Sequence, residues 1–323
     1  MQYSRSTAKD FARKHFRGIW AAIPTPFDHN DEIDERALRR DLRHYVDVLH
    51  IDGLFFGGVV GEFWALTFEE RKRLHEIVLD ELGDGCMSIA HTACTSLRDT
   101  VALTQHAQEH GSTFAVCVNP PCNPSRPEIS ISFFKTLCRE VDLGVSLFNN
   151  SIAGYSLSSE TIARLADIEN IVSVKEATLD QLSETRRLAG DRIQVFDPVE
   201  DRLCENIIAH GDQCFMSSPY PFLLQSTGQL SIRDYAAKAW AGDHDGARRL
   251  SASLDTKRRV LHKWLMAGGF DSSIPVIKFI SEHIGLTGGS VRAPMSRMTH
   301  DQESELRRDL EAVGLGEVRA AAE

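Results

Sequence analysis

Long hydrophobic runs are missing from this sequence: no stretch of about 18 uninterrupted apolar residues occurs, so no segment reads as a membrane span. The start, Met1-Gln2-Tyr3-Ser4-Arg5, lacks the charged-then-apolar order of a secretion signal, and a cytoplasmic protein is expected. Basic tracts are absent as well. With 46 acidic against 36 basic residues the formal charge is −10, and no cationic stripe suits nucleic acid, which is not expected as a partner. The seven cysteines (Cys86, Cys94, Cys117, Cys122, Cys138, Cys204 and Cys214) are scattered and contain no Cys-x-x-Cys pair. That argues against a disulfide framework and a structural zinc site, and reduced thiols are expected. Low-complexity tracts are lacking too.

What is present is a regular alternation. The 323 residues suffice for two ordinary domains or one large α/β barrel with an extension. Short apolar runs recur at Gly18 to Ile23, Gly53 to Phe56, Met87 to Ala90, Phe114 to Val118, Val145 to Phe148, Ile171 to Val174, Ile193 to Phe196 and Gln213 to Met216. Between them lie amphipathic segments such as Asp34 to His50, Thr67 to Leu82, Leu97 to His110 and Ile131 to Val141. Eight strand–helix repeats predict an α/β fold, a (β/α)8 TIM barrel with a C-terminal helical extension. Residues 1–224 form the barrel with a helical lead-in, and residues 225–323 form the extension, where the pattern turns all-helical.

Catalytic groups of such a barrel sit at the C-terminal ends of its strands. Lys175 closes the run Ile171-Val172-Ser173-Val174 and is the only lysine at any of the eight predicted strand ends. Burial there lowers the pKa of the amine and frees it to condense with a carbonyl group. The alternative is a lysine whose stem packs on the core while its head meets solvent or a carboxylate such as Glu176. A second feature follows the second strand: Gly57-Gly58-Val59-Val60-Gly61-Glu62, then Thr67-Phe68-Glu69-Glu70 at a helix start. A glycine turn there exposes backbone amides to an anion, or simply makes a tight loop.

These two segments, with Pro24-Thr25-Pro26-Phe27, Phe148-Asn149 and the late Arg292-Ala293-Pro294, resemble the dihydrodipicolinate synthase and N-acetylneuraminate lyase family of class I aldolases, over roughly Gly18 to Leu315. The resemblance implies a homotetramer and a lysine Schiff base with a 2-oxo acid, commonly pyruvate, with no metal or organic cofactor. Lys175 stands at the position of that lysine. The expected partner is a small-molecule carbonyl compound.

Several positions depart from the family pattern. Two hydroxyl residues of the glycine turn are replaced by Val59 and Val60, and the tyrosine that relays protons at the end of strand five is Phe148. After strand four the chain reads Asn119-Pro120-Pro121-Cys122, without the neighbouring-subunit tyrosine, and Asn150-Ser151-Ile152-Ala153-Gly154 lacks the arginine that follows strand five. General acid–base catalysis contributes about 10² to 10⁴-fold, so another group or the substrate must supply it. Among His91, Cys122, Asn149, Asp197 and Glu200, His91 is the expected base, because its ordinary pKa lies near neutrality. The expected substrate contacts are Gly58, Val59, Val60, Gly61, Phe148, Asn149, Asn119, Cys122, Thr25, Glu200 and Ser217, with Phe148, Val59 and Val60 making the pocket unusually apolar.

Two patterns are set aside. His106-Ala107-Gln108-Glu109-His110 matches a zinc-peptidase string, but it ends a helix in the outer layer, so no metal is expected. Lys278, among Val276, Ile277, Phe279 and Ile280, is expected to snorkel to solvent. The expected function is a Schiff-base lyase, aldolase or hydro-lyase, acting on a 2-oxo acid or related carbonyl compound. The alternative is a catalytically reduced homologue that binds a small molecule.

Overall fold

A computed structural model describes residues 2–121, 126–266 and 273–315. Eight parallel strands form the barrel: β1 Gly18–Ala22, β2 Gly53–Phe56, β3 Met87–His91, β4 Phe114–Val118, β5 Gly144–Asn149, β6 Ile171–Glu176, β7 Gln194–Phe196 and β8 Cys214–Ser218. The hydrogen-bonded order runs β7-β6-β5-β4-β3-β2-β1-β8, and β7 lies against β8 to bring the ring round. Each strand matches an apolar run, because a strand covered by helices outside and side chains inside must be apolar on both faces. The sequence-predicted barrel is therefore the observed one.

A lead-in helix α1 (Ala8–His15) is followed by α2 Glu35–Arg43, α3 Phe68–Leu82, α4 Leu97–Glu109, α5 Pro127–Glu140, α6 Ser159–Leu165, α7 Leu182–Ala189 and α8 Leu203–His210. The extension comprises α9 Tyr220–Leu223, α10 Ser231–Trp240, α11 His244–Ala252, α12 Asp255–Met266, α13 Ser273–His283 and α14 His300–Ala312. Local chemistry sets the starts. Thr67 and Glu70 form a reciprocal capping box on α3, and Ser96 and Ser158 accept from the third residue of α4 and α6. The helix expected from Asp34 to His50 ends its α-helical part at Arg43 and continues as π-helix over His44–Val48. That widened turn seats Tyr45 in the core against Phe222. Helix α5 begins earlier than the apolar pattern suggests, because Pro127 occupies its first turn, where a missing N–H costs nothing. No helix among the described residues is long and apolar enough to cross a membrane.

Lys278 does not snorkel. It lies on α13, 2 % exposed, with its Nζ 2.5 Å from Oε1 of the fully buried Glu62 and 2.6 Å from the carbonyl oxygen of Ser290. The Phe27 ring lies 4.4 Å from the ammonium, and Oε2 of Glu62 accepts from the backbone amide of Arg292. An apolar helix face concealed this residue because the counter-charge comes from a turn more than two hundred positions earlier. Replacing one member of a buried pair strands the other charge. Lys278→Met is expected to cost about 3–5 kcal/mol in unfolding free energy by urea titration, whereas a snorkelling lysine would lose well under about 1 kcal/mol.

Candidate active site

At the C-terminal ends of the strands lies a cavity of about 1020 Å³. Its floor contains Lys175, Phe55 and Phe148, its side the turn from Gly58 to Gly61, and its outer wall residues of α12 and α13. Strand register explains the floor: Phe148 on β5 pairs with Lys175 on β6, and Lys175 pairs with Phe196 on β7. The Lys175 ammonium nitrogen lies 4.7 Å from the Phe148 ring centre and 5.2 Å from that of Phe55. Burial of the amine lowers its pKa to about 7. Strand alternation sends the next side chain the other way. The Glu176 carboxylate accepts from Asn149 Nδ2 at 2.9 and 3.1 Å, from the Thr178 amide at 2.9 Å and from Thr185 Oγ1 at 3.1 Å, and burial raises its pKa.

The glycine turn is built from torsions that side chains rarely adopt. Gly57 has φ of 63°, and a Cβ on Gly58 would meet the Phe55 ring at 2.6 Å. Glu62 holds a left-handed φ of 54°, an unusual state for a residue with a long side chain, and its buried pairing with Lys278 keeps it there. Among the described residues no carbonyl accepts from the amides of Val59, Val60 or Gly61, which leaves them for an anion. Thr25 sits behind this turn: its hydroxyl donates to the Gly61 carbonyl oxygen at 2.9 Å, so its role is support of the loop.

Other expected residues are placed elsewhere. His91 is fully buried and absent from the cavity wall; its Nδ1 lies 3.2 Å from Arg71 Nη2, and its ring packs 4.6 Å from Phe63. Burial first, and the Arg71 guanidinium second, hold its pKa well below the usual histidine range. Arg71 has only protons to offer, so Nδ1 is the accepting nitrogen, and the expectation of a cavity-facing base is corrected by this packing. Asn149 and Asn119 spend their amides on structure, Asn149 on Leu157 and Glu176, Asn119 on the Tyr155 carbonyl oxygen at 2.8 Å. Glu200 does reach the wall, but its carboxylate is gripped by Arg258 at 2.8 Å through two nitrogens and by the Tyr235 hydroxyl at 2.7 Å. Asp197 accepts from Asn206 and Arg202. Cys122 lies outside the described residues, as does the side chain of Ser217, whose backbone belongs to β8.

The structure adds wall residues that strand-end reasoning missed. Tyr220, at the start of the short α9, borders the cavity, and burial pushes its phenol up to about 12. Ser156 and Thr178, joined by a 2.8 Å hydroxyl contact, line the opposite side. Arg258, Arg259 and His262 reach the mouth from α12, where only the third dimension brings the extension over the barrel.

A barrel of this topology with a single lysine at its strand ends, buried beside a glycine turn, together with the relatives named next, makes this chain a lyase of the class I aldolase or dehydratase type. Residues 15–313 match the model of the dihydrodipicolinate synthetase family, and the chain belongs to that family. It is 30 % identical over 296 residues to a 4-hydroxy-tetrahydrodipicolinate synthase of Desulforudis audaxviator, covering 90 % of this chain and 96 % of the relative. A synthase of the same name from Syntrophus aciditrophicus is 31 % identical over 308 residues, with 93 % and 99 % covered. The crystal structure of dihydrodipicolinate synthase from Aquifex aeolicus superposes with a TM-score of 0.81 at 26 % identity, over 93 % of this chain and 99 % of the other.

An amine with a pKa of about 7 is half neutral at that pH, whereas an ordinary lysine has fewer than about one neutral amine in a thousand. Competitive acetylation read by peptide mass spectrometry is therefore expected to label Lys175 with a midpoint near pH 7. The reactivity should rise with pH through that value and level off above it. A midpoint near that of the surface lysines would contradict the burial argument.

Proposed function

We propose that this lyase forms a Schiff base between Lys175 and a 2-oxo acid such as pyruvate, or a related carbonyl compound, and uses it for aldol chemistry or dehydration. The observation that carries the proposal is the buried Lys175 amine, poised near neutrality on the floor of a cavity shared with the Gly58-to-Gly61 turn. The amides of Val59, Val60 and Gly61 bind the substrate carboxylate in place of lost side-chain hydroxyls. The neutral amine attacks the carbonyl carbon, water leaves, and the iminium withdraws electrons from the adjacent carbon. An enamine then forms there and adds to, or is released from, a second carbonyl compound.

The valines, Phe55 and Phe148 favour a partner fragment less polar than a sugar acid. A pyruvate-sized molecule fills only a small part of about 1020 Å³, which leaves room for such a fragment. Synthesis of 4-hydroxy-tetrahydrodipicolinate, the reaction named for the relatives, does not suit a chain with Phe148 at the end of β5 and no arginine in the segment Asn150-Ser151-Ile152-Ala153-Gly154 that follows. Protons instead pass through Tyr220, whose phenol borders the same cavity. With burial pushing its pKa up to about 12, the phenol stays protonated near neutrality and acts as the proton donor.

Borohydride reduction in the presence of pyruvate and a panel of 2-oxo acids and aldehydes is expected to leave a reduced adduct on the peptide holding Lys175, and none in Lys175→Ala. No adduct with any member of the panel would favour the small-molecule-binding alternative. Tyr220→Phe is expected to keep the trapped adduct while slowing exchange of the protons beside the carbonyl in solvent deuterium by about 10²-fold. Unchanged exchange would remove Tyr220 from the mechanism.

A further inference from the structure

The string His106-x-x-Glu109-His110 has no part in the lysine chemistry, yet the fold gives it a partner that the sequence does not show. Helices α3 and α4 pack side by side on the outside of the barrel, and Glu76 of α3 faces the two histidines of α4. One ligand atom from each of Glu76, His106 and His110 lies within 4.8 Å of the others. The Nε2 of His106 stands 3.5 Å from Oε1 of Glu76, and the two imidazole rings are 4.1 Å apart, tilted by 37°. Glu109, the acid inside the string, is not a member of this group.

We propose that Glu76, His106 and His110 form a binding site for a divalent transition-metal ion of the zinc class, bridging α3 and α4 and separate from the active site. Two imidazoles and a carboxylate suit zinc, cobalt, nickel or copper, while oxygen-seeking magnesium and calcium prefer carboxylate and carbonyl donors.

The surroundings orient the donors. Nδ1 of His110 donates to the His106 carbonyl oxygen at 2.9 Å, which fixes that ring and turns Nε2 outward as the lone-pair nitrogen. Arg73 holds the second oxygen of Glu76 at 3.1 Å and leaves Oε1 to face the histidines. Nε2 of His106 lies 3.3 Å from the Lys72 carbonyl oxygen and near Oε1 of Glu76, so without metal its proton is shared with oxygen acceptors. A metal ion takes the place of that proton at Nε2 once the ring adopts the tautomer with its proton on Nδ1, and the neutral ring becomes a ligand.

Size fits with modest movement. Three atoms mutually within 4.8 Å have a common centre about 2.8 Å away at most, and zinc needs about 2.0–2.2 Å. Rotations of the three side chains that shift each donor by less than about 1 Å close the difference. His106 is only 11 % exposed at its side chain and Glu76 34 %, whereas His110 is open to solvent, which leaves the fourth position to water.

The test uses the full-length protein without an affinity tag, stripped with chelator. Zinc chloride titrated by calorimetry at neutral pH is expected to give a saturable one-to-one isotherm. Cobalt chloride is expected to give the intense visible absorption of a four-coordinate ion. His106→Asn and His110→Asn should each weaken binding at least about 10-fold, and Glu76→Gln should weaken it with both histidines intact. Circular dichroism and the pyruvate-trapping yield at Lys175 check that each variant folds, since none of the three residues touches that cavity. Absence of a saturable isotherm overturns the proposal. So does binding that survives in the His106→Asn, His110→Asn double variant, because the free thiols would then be the ligands.

Discussion

The ion pair between Glu62 and Lys278 fastens a left-handed backbone at the end of the glycine turn to the helical extension. Glu62 occupies a left-handed conformation at the end of the glycine turn, and a strained residue persists only where its surroundings over-determine it. A salt bridge, the Arg292 amide and the packing of Phe27 supply that determination. The free amides from Val59 to Gly61 therefore owe their shape to a helix outside the barrel. In this chain the extension supports the glycine turn, and α12 and α13 also wall the cavity.

Lys175 depends on the barrel in a different way. Its lowered pKa comes from burial by the two aromatic rings and the neighbouring strands rather than from a nearby cation. The same aromatic floor that lowers the pKa places Phe148, a ring without a hydroxyl, beside the amine.

The strands were legible because each is a short apolar run between helix signals, and the lysine because charge at the end of such a run is conspicuous. Helix boundaries shifted where local chemistry overrode pattern, at Pro127 and at the π-helical His44–Val48. Site residues divided by a simple geometric rule. Lys175, Phe148, Glu200 and the glycine turn face inward, whereas His91 and Asn149, also at strand ends, are packed against Arg71 and Glu176, and sequence position alone does not give the facing. Lys278 and Tyr220 escaped for another reason: each acquires its meaning from a residue or cavity distant in the chain.

The clamp of Arg258 on Glu200 and Ser251 anchors α12 over the barrel mouth by one buried side chain. Its neighbours Arg259 and His262 are exposed and, among the described residues, bonded to no acidic group, so the roof of the cavity is mechanically fixed while its chemistry is unconstrained. Divergence of substrate preference in such a lineage can run through these roof positions, leaving strands, lysine and anchor untouched. A barrel built this way changes its diet without changing its skeleton.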